Sequence, residues 1–282
     1  MRLNPRVDFA FKKLFGSEGN KDLLIAFINA VLPEEDQVAS LTLKNPYSLK
    51  DFASEKTTIL DILALDTHGR HLTIEMQITD QLHYEKRALY YWSGIYCRQL
   101  GEGNQYDELK KTIAIHILNF NLMDETHYHN VYRIRNDASH KIAFEDFQLH
   151  TIELKKFTAD LQHLKSALDR WVTFLTKAHE YSKNKIPIEL KEDPAIEKAI
   201  EVLDTLYLEE DERAYYESRL KWLRDEEAAI SKAEYRGRIK GKSEGKAEGK
   251  AEERLTIAKK LLASGMTLDQ VMGLTGLTKA EI

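Results

Sequence analysis

Two acidic residues, Asp61 and Glu75, are candidates to bind one divalent cation. Asp61 lies inside the apolar run of residues 60–65, and Glu75 lies on the polar side of residues 72–78, where apolar and polar side chains alternate. Such alternation is typical of a strand with one buried face. An acid inside an apolar strand is costly unless it is paired or binds a metal. Because Mg²⁺ prefers oxygen ligands, the two carboxylates predict a metal site.

The turn between the two predicted strands decides which residues face each other. Residues 67–69, Thr-His-Gly, form a three-residue loop whose final glycine suits a type I turn closed by a left-handed residue. If Asp66 pairs with Arg70, Asp61 lies opposite Glu75 with Cβ atoms about 4.5–5.5 Å apart, where like charges destabilise a sheet. A divalent cation is the simplest way to offset that repulsion. The alternatives are a lysine or arginine beside Asp61, or a register slipped by one residue, which would turn the apolar set to the wrong face.

Four segments of the chain resemble one nuclease family. Asp61, followed by Glu75-Met76-Gln77 on the next strand, resembles the PD-(D/E)XK nuclease core in the variant where glutamine replaces the usual lysine. Residues 8–15, DFAFKKLF, are similar to the opening of the Rpn family, also called PD-(D/E)XK nuclease family transposases. Residues 87–106 and a C-terminal glycine-lysine-glutamate repeat are similar to the same family. The resemblance covers essentially the whole chain.

The resemblance implies an α/β fold with a restriction-endonuclease-like PD-(D/E)XK core, in which helices flank a mixed central sheet, and a helical C-terminal extension. It also implies a Mg²⁺ site, or a site for another divalent cation, made by Asp61, Glu75 and the backbone carbonyl of Met76. In that site Gln77 takes the position of the lysine. Its amide can orient a water by hydrogen bonding, but it cannot supply a positive charge.

The missing positive charge would then come from elsewhere in the chain. Lys56 is the first candidate for a lysine that has moved, and Arg87 is the second. Asp8 or Glu18 could add an outer metal ligand from the first helix, as helix acids do in related nucleases. The alternative for Asp8 is a helix-start acid favoured by the helix dipole.

Composition limits the class of protein. The chain has 282 residues, one cysteine and a formal charge of −5, with a pI near 6.1. Its length suits one sizeable domain plus an appendage. The N-terminus lacks the apolar stretch of a signal peptide and no run approaches a membrane span, which predicts a soluble cytoplasmic protein. The negative charge is not typical of nucleic-acid binders, although metal-binding acids add negative charge and a bound Mg²⁺ reverses the local field.

The hydrophobic pattern divides the chain into a mixed α/β part and a helical, charged part. We expect helices near 5–15, 20–32, 82–100, 158–181 and 194–208, with a long charged stretch from 210, and strands near 38–44, 58–66, 70–78, 112–120, 129–134 and 142–153. The corresponding domains are a core over 1–155, a helical extension over 156–236, a repeat linker or helix over 237–255 and a small helical module over 256–282.

The C-terminal segments allow more than one interpretation. Glycine recurs at every fourth residue from 237 to 249, which suits either a semi-flexible linker or a helix that packs closely against another in a dimer. A helix expected over 252–263 should end at Gly265, and Thr267 and Gln270 form a capping box for the next short helix. This succession has the rhythm of a helix-turn-helix. However, a third helix from Thr278 has barely one turn, which is too short for a recognition helix. We therefore expect a small packing or assembly module.

The sequence predicts a Mg²⁺-dependent DNA endonuclease, and the family resemblance implies a link to DNA recombination or mobile elements. DNA is the expected partner, and the C-terminal helical region is the expected contact of a homo-oligomer. The main alternative is a nuclease fold that binds DNA or assembles without turnover, because fold does not imply function. A toxin-like nuclease silenced by its own C-terminal module is a further alternative.

Overall fold

The computed structural model describes residues 3–44, 62–80, 82–182 and 184–282. Two of the predicted site residues, Asp61 and Lys56, lie outside this part of the chain. Residues 1–223 and 224–282 form two compact units.

A mixed six-stranded sheet lies at the centre of the first unit. Its strands are β1 (Leu41–Leu43), β2 (Ile62–Asp66), β3 (His71–Gln77), β4 (Thr112–Leu118), β5 (His129–Arg135) and β6 (Ile142–Glu153). They lie in the order β1-β2-β3-β4-β6-β5. Strands β3, β4 and β6 run parallel, and the other neighbours pair antiparallel. The carboxyl ends of β3, β4 and β6 therefore share one edge, where α/β folds usually place their sites.

The helices of the chain follow the order that the sequence predicts. They are α1 (Asp8–Phe15), α2 (Lys21–Val31), α3 (Tyr84–Cys97), α4 (Ala167–Lys177), α5 (Ile188–Lys191), α6 (Pro194–Thr205), α7 (Glu210–Ala263) and α8 (Leu268–Thr275). This architecture, a mixed sheet with flanking helices and a helical C-terminal region, confirms the predicted fold class.

The alternation along β3 assigns its side chains to two faces. Leu72, Ile74 and Met76 are buried in the main core, together with side chains of α1, α2, α4 and α6. The intervening residues, including Glu75 and Gln77, point to the other face, where α3 packs over a smaller core. That core contains Tyr84, Ala88, Ala114, Leu118, Phe120 and Leu149.

The hairpin between β2 and β3 has the predicted turn and register. Gly69 adopts the left-handed conformation with φ of 77°. The carboxylate of Asp66 accepts hydrogen bonds from the backbone N–H groups of His68 at 2.9 Å and Arg70 at 2.8 Å. Ile62 lies opposite Ile74. The prediction that Asp66 pairs with Arg70 is confirmed, which excludes the slipped register for the described residues.

The start of one helix and the cap of another differ from the prediction. The helix expected over 158–181 begins only at Ala167, because the side chains of Ser166 and Asp169 form a capping box there. Asn20 immediately precedes α2 as expected, but its side chain does not cap that helix. Its amide donates instead to the carbonyl of Leu14 at 2.9 Å.

The second unit contains the end of α7 and helix α8. The glycine repeat lies within α7, which is one continuous helix of 54 residues. Gly265 follows that helix with φ of 94°, and Thr267 and Gln270 form the predicted capping box of α8. In this described segment a turn over 279–281 takes the place of the expected third helix. The hydroxyl of Thr278 donates a hydrogen bond to the carboxylate of Glu281 there.

Candidate active site

Glu75 lies near the carboxyl end of β3, on the face covered by α3. Its side chain is half-buried. Desolvation by burial raises the pKa of its carboxyl group, and the positive charge of Arg87 opposes that rise without cancelling it. An additional positive charge near Glu75 would therefore stabilise its ionised form.

Gln77 binds Arg87 at the same edge. The Oε1 atom of Gln77 accepts a hydrogen bond from Nη2 of Arg87 at 2.8 Å, and its Nε2 donates to the carbonyl of Thr79 at 3.1 Å. The guanidinium also lies over the ring of Tyr84, 5.0 Å from the centroid. Arg87 is therefore held between a strand residue and an aromatic residue of its own helix.

Tyr84 and His116 extend this group of contacts beneath α3. The hydroxyl of Tyr84 lies 2.6 Å from Nδ1 of His116 and is hydrogen-bonded to it. His116 lies on β4 directly opposite Glu75 in the parallel register. Its burial, assisted by the charge of Arg87, lowers the pKa of His116 to about 4, so the imidazole is neutral at physiological pH.

Asn119 and Arg6 lie at the end of the same edge. The backbone N–H of Asn119 donates to the carbonyl of Gln77 at 2.9 Å, which extends the pairing of β3 and β4 by one residue. Arg6 lies with Nη1 3.5 Å from Oδ1 of Asn119. Two arginines, one from the N-terminal segment and one from α3, thus approach the end of β3.

The acids predicted as outer ligands have ion-pair partners. Asp8 binds the guanidinium of Arg219 on α7, and its carboxylate also accepts from the backbone N–H of Phe9 at 2.8 Å. Glu18 pairs with Lys21 at 2.7 Å. The side chain of Met76 points into the main core, on the face opposite Glu75.

The chemistry of the described donors fits a metal ion only in part. Within the described ranges no group of three histidine, cysteine or acidic residues could hold an ion. Of the predicted ligands that the structure describes, Glu75 has a property expected of a metal ligand, because a cation beside it would offset the desolvation that raises its pKa. The second predicted carboxylate, Asp61, lies outside the described residues.

Sequence reasoning missed Tyr84 and His116. His116 is the one imidazole within the buried run TIAIHIL of β4, and a polar residue in such a run could have been noticed. Tyr84 gave no comparable signal, because its contact depends on how α3 packs over the sheet.

The fold and the Glu-x-Gln pattern at the carboxyl edge of β3 define a PD-(D/E)XK nuclease domain. A family model described as PD-(D/E)XK nuclease family transposase matches residues 5–233. A second, described as Rpn/YhgA-like nuclease family, C-terminal HTH domain, matches residues 251–282. No curated protein and no solved structure matched. The chain belongs to the PD-(D/E)XK nuclease family transposases, as the sequence resemblance predicted.

The second match corrects the interpretation of the C-terminal segment as a packing or assembly module. The prediction took the short segment after Thr278 as the recognition helix. In a helix-turn-helix, two helices are joined by a short turn that often contains glycine. The end of α7, the turn with Gly265 and helix α8 supply these parts. Helix α8 is therefore in the position of the second helix of the motif. The shortness of the segment after Thr278 then does not exclude a helix-turn-helix.

The family associates this chain with nucleases and mobile elements, and the helix-turn-helix class associates it with DNA. None of the helices in the described ranges is long and apolar enough to cross a membrane.

Proposed function

We propose that this protein is a metal-dependent endodeoxyribonuclease that hydrolyses phosphodiester bonds with Mg²⁺ or another divalent cation, in DNA recombination or the movement of mobile elements. The observation that carries the proposal is the position of Glu75. It is a half-buried acid with a raised pKa at the carboxyl edge of β3, beside the bonded pair of Gln77 and Arg87.

In this proposal Asp61 and Glu75 are the metal-binding carboxylates, and the backbone carbonyl of Met76 is a third ligand. The described register supports the pairing, because Ile62, which follows Asp61 in the chain, lies opposite Ile74, which precedes Glu75. Asp8 as an outer ligand stays a prediction, and Lys56 and Arg87 stay the two candidates for the source of positive charge.

A bound divalent cation would supply a water of lowered pKa and a clamp for the phosphate oxygens. The residues of the chain have separate tasks in that reaction. Glu75 must be ionised to act as a ligand, so its raised pKa makes binding depend on pH. Gln77 offers no charge, and the Thr79 carbonyl fixes the orientation of its amide. His116 stays neutral and holds the hydroxyl of Tyr84.

Nicking of supercoiled plasmid tests the proposal. Wild-type protein is compared with Asp61→Asn and Glu75→Gln, in Mg²⁺ and in EDTA. Glu102→Gln is the control, because Glu102 is an exposed acid in the loop after α3. Cleavage that requires metal, persists in the control and disappears in both site variants supports the proposal. Metal-dependent cleavage that survives both site variants would place the site elsewhere.

A second candidate function is DNA binding or assembly without turnover. The match of residues 251–282 to a helix-turn-helix domain favours it, since that class can bind DNA without a nuclease site. The same plasmid separates the two functions. Wild-type protein that retards the plasmid in a gel but never nicks it, with Mg²⁺ or Mn²⁺, would establish binding without cleavage.

A further inference from the structure

We infer that Arg87 provides the positive charge beside the reacting phosphate that Gln77 cannot provide, and that Gln77 is the residue that positions Arg87. This inference rests on the proposed nuclease function and deepens it. It assigns a catalytic role to Arg87 and a positioning role to Gln77.

The hydrogen bonds of Gln77 make it a directional acceptor. An amide has one accepting oxygen and one donating nitrogen. Its Nε2 donates to the Thr79 carbonyl at 3.1 Å, which turns Oε1 toward the guanidinium of Arg87 at 2.8 Å. A lysine at position 77 would instead place a second cation against Arg87, and like charges at this distance repel. Glutamine and arginine therefore form a matched pair at this edge.

The surroundings of Arg87 hold its charge close to the proposed metal ligand. The guanidinium lies 5.0 Å from the ring centroid of Tyr84, and that tyrosine is hydrogen-bonded to His116. His116 lies opposite Glu75 across β3 and β4. Burial has the larger effect on both groups: it raises the pKa of Glu75 and lowers the pKa of His116. The charge of Arg87 lowers both pKa values. Since His116 is neutral, it does not supply the missing charge.

An arginine suits this task chemically. Negative charge develops on the phosphate oxygens during hydrolysis, and a guanidinium can bind two such oxygens through its planar set of N–H donors. Removing one such preorganised donor typically lowers the turnover rate by about 10²–10³-fold. A guanidinium also remains protonated at every physiological pH.

Single-turnover cleavage by the full-length protein at saturating Mg²⁺ tests the inference. Arg87→Gln should lower the rate about 100-fold. Lys86→Gln is the control, because it removes an equal charge from an exposed side chain at the neighbouring position of α3. It should stay within about twofold of wild type, since exposed charges contribute little.

Charge exchange between the two positions provides the decisive comparison. Gln77→Lys alone should cleave more slowly than wild type, because two cations then adjoin. Combined with Arg87→Gln, the same lysine should recover at least about tenfold of the lost rate, since it restores one positive charge at the site.

The charge exchange also distinguishes a catalytic charge from a packing effect, because a lysine at position 77 restores the positive charge without restoring the packing of the Arg87 side chain over Tyr84. Melting temperature and plasmid affinity are measured in parallel to confirm that each variant is folded and binds DNA.

The possible results separate this inference from the nuclease proposal. A wild-type rate in Arg87→Gln, with cleavage abolished in Glu75→Gln, overturns the role of Arg87 and leaves the nuclease proposal intact. Loss in Arg87→Gln that the lysine at position 77 does not rescue also overturns it, as does a 100-fold loss confined to Lys56→Gln. Wild-type protein that never cleaves overturns both. If Arg87→Gln unfolds, Gln77→Met replaces it: about a tenfold loss supports the positioning role, and a wild-type rate overturns it.

Discussion

Glu75 destabilises the folded protein when it is ionised. Its carboxyl pKa is raised by burial, so its contribution to stability is present below the pKa of the unfolded chain and is lost as pH rises through the folded pKa. Glu75→Gln replaces the carboxyl group by a neutral amide, so the variant does not lose stability as pH rises through that pKa. We expect the melting temperature in EDTA near pH 8 to rise by about 2 °C, with the difference disappearing in acid.

Mg²⁺ gives this prediction a second measurement. The ion should raise the melting temperature of wild-type protein, because a ligand that binds only the folded state stabilises it. It should leave Glu75→Gln unchanged. Differential scanning fluorimetry measures both effects, and a variant that melts below wild type in EDTA would contradict the account of Glu75.

Asp36 is stabilised by an unusual number of cations. It lies 2.6 Å from Lys111, 3.1 Å from Arg70 and 3.7 Å from Arg133. Burial by itself would raise the carboxyl pKa, but hydrogen bonding and charge from Lys111, together with Arg70, lower it overall. Its contribution to stability is thus present above the unfolded pKa and is lost as pH falls through the folded value.

Replacing Asp36 by asparagine should lower the free energy of unfolding by about 3 kcal/mol, because it removes the buried anion that three partly buried cations share. Asp22→Asn is a matched control. Asp22 also lies 2.6 Å from a lysine, Lys198, but its side chain is 57% exposed against 7% for Asp36. That change should cost less than about 1 kcal/mol. Urea unfolding at neutral pH measures both, and equal losses would show that burial is not the cause.

The sequence could identify Glu75 and Gln77 because alternation along one strand places them on the same face. It could not establish that Gln77 binds Arg87, since that contact depends on the angle at which α3 crosses the sheet. It ranked Lys56 above Arg87 for the missing charge. Lys56 lies outside the described residues, and our inference from the contacts of Arg87 reverses that ranking.

At the scale of elements, local signals predicted the hairpin well. The glycine at position 69 and the alternation in β3 are both properties of a short segment, so neither needs the rest of the fold. The long helix was harder to predict. Four glycines argued for a linker, yet α7 continues through them, with lysine and glutamate side chains at helical spacing.

Alanine in place of Gly241 and Gly245 tests whether this part of α7 packs against another helix. A Cβ atom at either position would meet nothing within 4 Å among the described residues. Each change should therefore stabilise an isolated helix by about 1 kcal/mol and increase its helical circular dichroism. If a second copy packs on the glycines, as the predicted homo-oligomer requires, the alanines should instead dissociate it in analytical ultracentrifugation.

Gly69→Ala is the control for glycine loss. Its φ of 77° is unfavourable for a residue with a side chain, so the free energy of unfolding of that variant should fall by about 1–2 kcal/mol, whether or not α7 packs against a second copy. A gain of stability at position 69 would contradict the turn geometry.

At the scale of the whole molecule, charge is unevenly distributed. The chain carries a formal charge of −5. The repeat segment 237–255 nevertheless has six basic residues, Arg238, Lys240, Lys242, Lys246, Lys250 and Arg254, against four acidic ones, Glu244, Glu248, Glu252 and Glu253. The negative overall charge counted against nucleic-acid binding in the sequence analysis, although the C-terminal residues match a helix-turn-helix domain. The predicted domain boundaries at 155, 236 and 255 stay predictions.

Deleting residues 251–282 tests what the helix-turn-helix contributes. We expect DNA binding about tenfold weaker than that of the full-length protein. The slope of log affinity against log salt concentration should become shallower by about 0.9 for each phosphate that the shortened protein no longer neutralises. Cleavage at saturating protein should stay within about twofold of wild type, because Glu75 and Arg87 remain. A faster rate would favour a nuclease silenced by its own C-terminal module, and unchanged affinity would contradict a role in binding.

The exposed part of α7 also determines where a protease would cut this protein. Every side chain from 231 to 254 is exposed, and the glycines lower the free energy needed to open the helix locally. Trypsin requires lysine or arginine in an opened segment, so its first cuts should fall between Arg236 and Lys250. Mass spectrometry of a brief digest would then find the nuclease domain and the helix-turn-helix as separate fragments, with the chain still uncut at the turn that contains Gly69.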